Sequence, residues 1–415
     1  MPSNTATSST DNNASQSDNH RDFRAETRAW LEANCPESQR QPPVEGEGIW
    51  GGRNPEFANS DCQQWFERMR DKGWTVPNWP VEYGGAGLSP LEHQILKEEM
   101  RRLRCRTPLN DLGILMFGPA LMEYGSEQQK SEHLPKIARG EIRWCQGYSE
   151  PGAGSDLANI QTKAEDKGDH FLVNGSKIWT SYADKSDWMF CLTRTDSSAK
   201  KQQGISFLLI DMDDPGITAK PIELISGNRH FCQVWLDNVK VPKANLVHKL
   251  NEGWTVGKAV LQHERKSMSE TSESSSSGDL TAERLLDFYL ERSTEQGREG
   301  QIENAELRTA LTNHQMNMRM AKLCQQRIYE EYMAGTPSGL AMIMKYIGTE
   351  ELKRKDELIL AAMGNRGMAW EGEGFTEDEL LIPRNWAMDK AYTIAGGSSE
   401  VQLNILAKNV LGLPD

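Results

Sequence analysis

A helical region, then an all-β region, then a second helical region, in one chain of 415 residues, leaves few folds open. From residue 21 to about 140 the apolar period is helical. Leu91, Ile95 and Leu96 share one face of a segment that begins after Ser89-Pro90, a capping residue followed by a proline at the first helical position. The stretch before it, Trp79-Pro-Val-Glu-Tyr-Gly-Gly-Ala-Gly87, is full of helix breakers. Tyr124-Gly125-Ser126-Glu127 closes one helix and caps the next. From 141 to 250 apolar residues alternate instead: Trp188, Phe190 and Leu192, then Ile205, Phe207 and Leu209, then Val234 and Leu236. Asn174-Gly175 lies between two strand-like runs and predicts a hairpin turn. Short strands with tight turns predict an antiparallel barrel or small sandwich. From 251 to 415 helices return, with Met316, Met320 and Leu323 at i, i+4 and i+7. Ser267 to Ser277 reads as a solvent-exposed loop or a frayed helix end. Residues 1–20, mostly Ser, Thr and Asn, read as a disordered tail.

Composition removes several classes of function. The formal net charge is -13, so phosphate backbones are repelled and nucleic acid is not expected as a partner. The longest basic cluster, Met100 to Arg106, is short. No apolar run approaches the roughly 20 residues of a membrane span, so no membrane association is expected. Seven cysteines without a C-x-x-C pair argue against a disulfide framework and against a zinc site, and no metal is expected. Reduced thiols and the lack of an apolar signal or an Arg-rich transit pattern point to the cytoplasm.

Three motifs carry chemistry. Tyr148-Ser-Glu-Pro-Gly-Ala-Gly-Ser-Asp156 joins a helix to a strand; Gly154 lets a backbone approach a ligand, and Ser149 and Ser155 offer hydroxyls. On its own, Gly175-Ser-Lys-Ile-Trp-Thr-Ser181 reads as a half-buried strand with an interior tryptophan. Ile394-Ala-Gly-Gly-Ser-Ser-Glu-Val-Gln402 reads as a loop leading into a helix whose free N–H groups can bind a ligand. With Trp79 to Gly85 and Trp144-Cys-Gln-Gly147, these runs resemble the acyl-CoA dehydrogenase family of flavoproteins, over about residues 23–414. The resemblance implies an α+β multidomain fold: a helical N-terminal domain at 21–140, a central antiparallel β domain at 141–250 and a C-terminal four-helix bundle at 251–415. It implies FAD held by Tyr148, Ser149, Gly154 and Ser155. Trp179 would shield the flavin ring, and Thr180 or Ser181 would meet its polar edge. Ser398 and Glu400 would also line the cofactor.

The reaction implied is α,β-desaturation of an acyl-CoA thioester, with electrons passed to an electron-transfer flavoprotein and a homodimer or homotetramer as the assembly. Many relatives carry a catalytic glutamate at the position of Gly396; a minority branch keeps it on the first helix of the C-terminal domain. Leu261-Gln-His-Glu-Arg265 is otherwise an ordinary charged helix face. By resemblance to that branch Glu264 is the base, and the Gly396 backbone N–H helps polarise the thioester carbonyl. Two segments depart from the family. An Arg-x-x-Phe-Gly pattern is degraded near 291–302, leaving Arg292 and Arg298, and a Gln-x-x-Gly-Gly pattern is degraded to Ala361-Ala-Met-Gly-Asn365, leaving Gly364. These departures keep open another flavin reaction on the same fold, oxidase or desulfinase-like, and a non-catalytic or heteromeric subunit.

Overall fold

The computed structural model describes residues 8–41, 47–274, 302, 304–336 and 339–414. Five helices come first: α1 (Ser8–Asn34), α2 (Ser60–Asp71), α3 (Pro90–Leu103), α4 (Gly118–Tyr124) and α5 (Glu127–Ala138). Ser89 caps α3 and Ser126 caps α5, each in a reciprocal capping box with Glu92 and Gln129. The start of α1 corrects the expected tail: the helix runs back to Ser8. Its later part is anchored by Arg24 and Arg28 on Glu98 and Glu99 of α3. Extending a helix that already exists is far easier than nucleating one, so a polar stretch can follow.

The middle region forms one eight-stranded sheet. Its strands are β1 (Trp144–Gly147), β2 (Lys163–Asp166), β3 (His170–Ser181), β4 (Trp188–Arg194), β5 (Ile205–Asp211), β6 (Ile217–Ile222), β7 (Phe231–Pro242) and β8 (Leu246–Val247). The order is β6-β7-β3-β2-β4-β5-β8, with β1 beside β4. Pairing is antiparallel except that β1 and β2 each run parallel to β4. The hairpin expected at Asn174-Gly175 is corrected: β3 runs straight through it. A Cβ on Gly175 would lie 2.5 Å from the Thr162 Oγ1 and 2.7 Å from its Cα. The glycine is there because a neighbouring backbone passes close, not because the chain turns.

Both faces of the central strands are buried. Phe190, Leu192, Phe207 and Leu209 face a core shared with Phe117, Leu121 and Leu134 of the N-terminal helices. Met189, Cys191, Leu208 and Ile210 face a second core with Phe171, Val173 and Val234. Phe117, Phe190 and Phe207 lie nearly parallel, with centroids 5.2–6.4 Å apart. Full burial of each such ring is worth about 1.5–3 kcal/mol, so this stack holds the two regions in one piece.

The last region contains α6 (Gly253–Ser274), α7 (Ala305–Met333), α8 (Met344–Met363), α9 (Glu377–Asp389) and α10 (Ser399–Asn409). The serine-rich stretch continues α6 as far as Ser274, and Ser275 to Ser277 lie outside the described residues. Among the described residues, these helices bury a cluster of their own that is small: Ile359, Met363 and Ile382. Met316, Met320 and Leu323 do share a face of α7, yet they are 64%, 41% and 50% exposed, so that face is not core among the described residues.

Asp111 pins the junction between the helices and the sheet. Its Oδ1 accepts the Gly113 and Trp144 N–H groups, each at 3.1 Å. Burial pushes its carboxyl up to about 7, against the pull of those bonds and of Arg143. The folded value therefore lies above the unfolded one, about 3.9. The protonated carboxyl supports the fold fully below that lower value, and the support is lost as pH rises through about 7. Asp111→Asn keeps the accepting oxygen and removes the titration. Urea unfolding between pH 5 and 8 should show wild-type stability falling by up to about 1.4 kcal/mol per pH unit relative to the variant. Parallel pH profiles would sink this assignment.

Candidate functional site

The loop after β1 is fixed from beneath by a buried ion pair. Lys177 of β3 is 0% exposed, and its Nζ donates to Glu150 Oε1 at 2.8 Å, Leu192 O at 2.8 Å and Tyr148 O at 3.2 Å. The Ile178 N–H donates to Ser149 O at 2.8 Å. The loop and β3 therefore move as one body. Beyond Ser149 the loop rises into open space: Gly154 and Ser155 are exposed, and a Cβ on Gly152 or Gly154 would meet nothing within 4 Å.

Directly after Lys177 the β3–β7 ladder slips by one residue. Trp179 takes φ +61° there, a left-handed backbone that a bulge imposes and a tryptophan rarely adopts. The slip turns its indole outward, 51% exposed, with an edge against Phe231 at 6.1 Å. The next side chain points the other way. Thr180 is fully buried, and its Oγ1 has no hydrogen-bond partner. Ser181 is half-buried at the end of the strand.

Helix α6 starts hard against β5, where a Cβ on Gly253 would lie 2.3 Å from the Ser206 carbonyl carbon. Val256 and Val260 go into the shared core. Gly257 lies on this side too, its carbonyl 3.5 Å from the Tyr148 hydroxyl. Glu264 follows Gly257 by seven residues, two turns on along the same face. That spacing carries the carboxylate, half-buried, to Gln146, whose Nε2 donates to Glu264 Oε2 at 3.4 Å. Burial holds the Tyr148 phenol well above its ordinary range, and the nearby Glu264 charge adds to the effect.

The glycine loop before α10 is built from two left-handed residues, Gly396 at φ +66° and Gly397 at φ +99°. Gln402 Nε2 donates to Gly396 O at 3.1 Å, and Lys345 Nζ donates to Gly397 O at 2.5 Å. Ser398 caps α10 by accepting the Val401 N–H. Glu400 is exposed in the first turn, where its own backbone N–H and the Ser398 hydroxyl hold its carboxyl below the usual range.

The structure thus brings Tyr148, Ser149, Trp179, Thr180 and Ser181 onto one edge of the sheet, with Gly154 and Ser155 on the loop beside it. Glu264 joins them through Gln146 and Tyr148. Gly396, Ser398 and Glu400 reach this group through Lys345, whose ammonium feels the Glu264 charge. Gly364 does not join it. It sits at φ +55° at the far end of α8 from Lys345, about 28 Å along the helix. Arg292 and Arg298 lie outside the described residues. Sequence reasoning missed Lys177 and Lys345. The second had a visible signal, a lone cation in Ala341-Met-Ile-Met-Lys-Tyr-Ile347.

Family descriptions match almost end to end: "Acyl-CoA dehydrogenase, N-terminal domain" over residues 17–141, "middle domain" over 145–239 and "C-terminal domain" over 251–411. The chain belongs to the acyl-CoA dehydrogenase family. It is 33% identical over 393 residues to acyl-CoA dehydrogenase IpdE1 of Mycobacterium tuberculosis, covering 95% of this chain and 97% of that one. Among solved structures it resembles the Tcur3481-Tcur3483 steroid ACAD, with a TM-score of 0.74, 28% identity, and coverage of 95% and 97% of the two chains. It also resembles the ChsE4-ChsE5 complex from Mycobacterium tuberculosis, with a TM-score of 0.73, 26% identity and full coverage of both chains. As a member of the family the chain is an oxidoreductase acting on acyl-CoA. Its helix–sheet–helix architecture is the family's.

The family's members are FAD flavoproteins, and the sheet edge fits that group. An exposed indole offers a wall for a flat ring, the half-buried Ser181 hydroxyl two residues on shares its face while Thr180 turns inward, and the bare backbone at Gly152 and Gly154 leaves room for a polar chain. Trp179→Ala removes the wall while touching little of the core. Thermal unfolding should stay near wild type, and FAD should bind roughly tenfold more weakly, the worth of one aromatic stack. Flavin fluorescence titration reads the second quantity; unchanged affinity would show that the indole meets no cofactor.

Proposed function

We propose that this chain catalyses FAD-dependent α,β-desaturation of an acyl-CoA thioester to the trans-2-enoyl-CoA, with Glu264 as the base. The observation that carries this reading is the position of Glu264, half-buried beside Tyr148 and Gln146 and electrostatically linked, through Lys345, to a loop whose Gly396 has no side chain. A bound FAD would accept the β hydrogen as hydride. Tyr148, Ser149, Gly154, Ser155, Trp179, Thr180 and Ser181 would hold it, with Ser398 and Glu400 at its other side.

The residues of this chain do the rest. A thioester α proton is weakly acidic, so its removal needs a fixed carboxylate and a donor at the carbonyl oxygen. Glu264 takes the proton. The Gly396 N–H, in a loop braced at two consecutive carbonyls, donates to the carbonyl oxygen as negative charge gathers there. The steroid named for one of the similar structures makes a polycyclic acyl-CoA the first substrate to assay, and an electron-transfer flavoprotein is the acceptor.

A second reading concerns assembly. Gly364-Asn365 lacks the family's paired glycines, and the α7 face with Met316, Met320 and Leu323 is left uncovered. A similar structure is named as a complex of two different chains. The missing glycines and the two-chain relative favour a heteromer, in which a distinct partner covers that face, over a homodimer or homotetramer.

Glu264→Gln keeps size and removes basicity. FAD binding should be retained, and anaerobic bleaching of the flavin by acyl-CoA should slow by about 10²–10⁴-fold. Bleaching at the wild-type rate would reject Glu264 as the base.

A further inference from the structure

Lys345 and Lys177 are the two buried lysines among the described residues, and Lys345 is the one near the glycine loop. It sits in the first turn of α8 inside an apolar run, and only 6% of it is exposed. An ammonium is strongly hydrated, so burying one without partners is expensive. Here the partners are specific. Nζ donates to Gly397 O at 2.5 Å, across 52 residues of sequence. Burial, the largest effect, holds the amine below the usual lysine range; the charges of Glu350, Glu264 and Glu400 pull it back up. Those three carboxylates come from three helices, α8, α6 and α10. Glu264 in turn faces the Tyr148 phenol and the Gln146 amide from the sheet side.

The loop gains two braces in this way. Gln402 holds the Gly396 carbonyl and Lys345 holds the Gly397 carbonyl. Two successive left-handed glycines have no Cβ to restrict them, so the loop has wide conformational freedom unless something external limits it. Gln402 belongs to α10, the helix that the loop leads into, so it braces only locally. Lys345 ties the loop to α8, which packs on α6, the helix that carries Glu264.

We infer that Lys345 is a positioning residue for the reaction: its buried ammonium clamps the Gly396-Gly397 loop and, on a helix packed against α6, sets a positive charge within electrostatic reach of the Glu264 carboxylate. The inference rests on the reading of Glu264 as base for its second half only. A cation at that place favours the ionised carboxylate, so the base stays deprotonated and ready at lower pH. The same cation holds the loop that presents the Gly396 N–H. Base and carbonyl donor then share one anchor although they lie 132 positions apart in the chain.

Lys345→Met and Lys345→Arg test both halves. Hydrogen exchange of the Gly396 to Val401 amides, read on the purified protein without substrate, should quicken at least tenfold in Lys345→Met and stay near wild type in Lys345→Arg. Equal exchange in all three proteins overturns the clamp, whatever the enzyme turns over. In the FAD-loaded enzyme, the acid limb of flavin bleaching by acyl-CoA should move to higher pH by about one unit in Lys345→Met, and Lys345→Arg should restore it. A limb that stays in place overturns the electrostatic half, since a merely structural lysine would change rates without moving it. A wild-type flavin that no acyl-CoA bleaches rejects desaturation as the activity, and the exchange comparison still decides the clamp. Thermal unfolding of each variant identifies one that fails to fold, and Lys345→Arg then carries the comparison with wild type.

Discussion

The buried contact between Lys177 and Glu150 is the one on which the sheet edge depends. Taking two charges out of water costs several kcal/mol per ion, and the attraction between them offsets this only when every remaining polar atom is satisfied. Here they are. Glu150 also accepts the Gln161 N–H at 2.6 Å and the Thr162 N–H at 2.9 Å, while Lys177 reaches the Tyr148 and Leu192 carbonyls. An apolar pair of the same volume would hold the fold at least as well. It would not fix direction. Four segments meet at this pair: the loop at 148–150, the chain entering β2, and strands β3 and β4. Their meeting sets where Trp179 emerges from the bulge and where Thr180 turns inward. Removing one partner alone would strand the other charge, a loss of about 3–5 kcal/mol.

Glu264, the proposed base, depends on a second anchor, and this one is apolar. The Tyr148 ring stands edge-on against Phe190 and Phe207, at 6.1 and 6.3 Å. Phe117 brings the N-terminal helices into the same stack. Gly253 lets α6 begin in contact with β5, and Val256 and Val260 seal the helix onto the core. From there only helical geometry is needed to bring Glu264 to the end of β1. The carboxylate is therefore brought to Gln146 by the packing of residues four, seven, eight and eleven positions before it.

Much of this was legible in the sequence, and for identifiable reasons. Alternation in Trp188 to Leu192 and Ile205 to Leu209 marks strands because side chains leave a strand on opposite faces. Ser89-Pro90 marks a helix start because its capping chemistry is local. Glycine at 396 with a glutamate at 264, the pair behind the proposed base, is visible in the sequence because each is a single residue in a recognisable run. What failed had non-local causes. Asn174-Gly175 has the composition of a turn, yet the strand continues because Thr162 passes over Gly175. The polar residues from Ser8 onward look disordered, yet they extend a helix anchored far away on Glu99. Lys177 went unremarked because a lysine in an alternating strand carries no sign that its ammonium will be buried; Lys345 did carry one, its apolar neighbours from Ala341 to Ile347.

The two halves of the site also differ in how they are held up. The sheet edge and Glu264 rest on the large aromatic core that the N-terminal helices and the sheet share. The glycine loop rests on α8 and α10, which belong to a region whose own core, among the described residues, is Ile359, Met363 and Ile382. That cluster is too small to fix a loop rigidly by burial alone, and the same region leaves Met316, Leu323, Met368 and Ile394 open to solvent. Covering those side chains with another protein surface would stiffen the helices that carry the loop. Assembly and the proposed chemistry are then linked through α8: a partner surface on the C-terminal helices would steady Lys345, and Lys345 holds the loop that carries the proposed carbonyl donor.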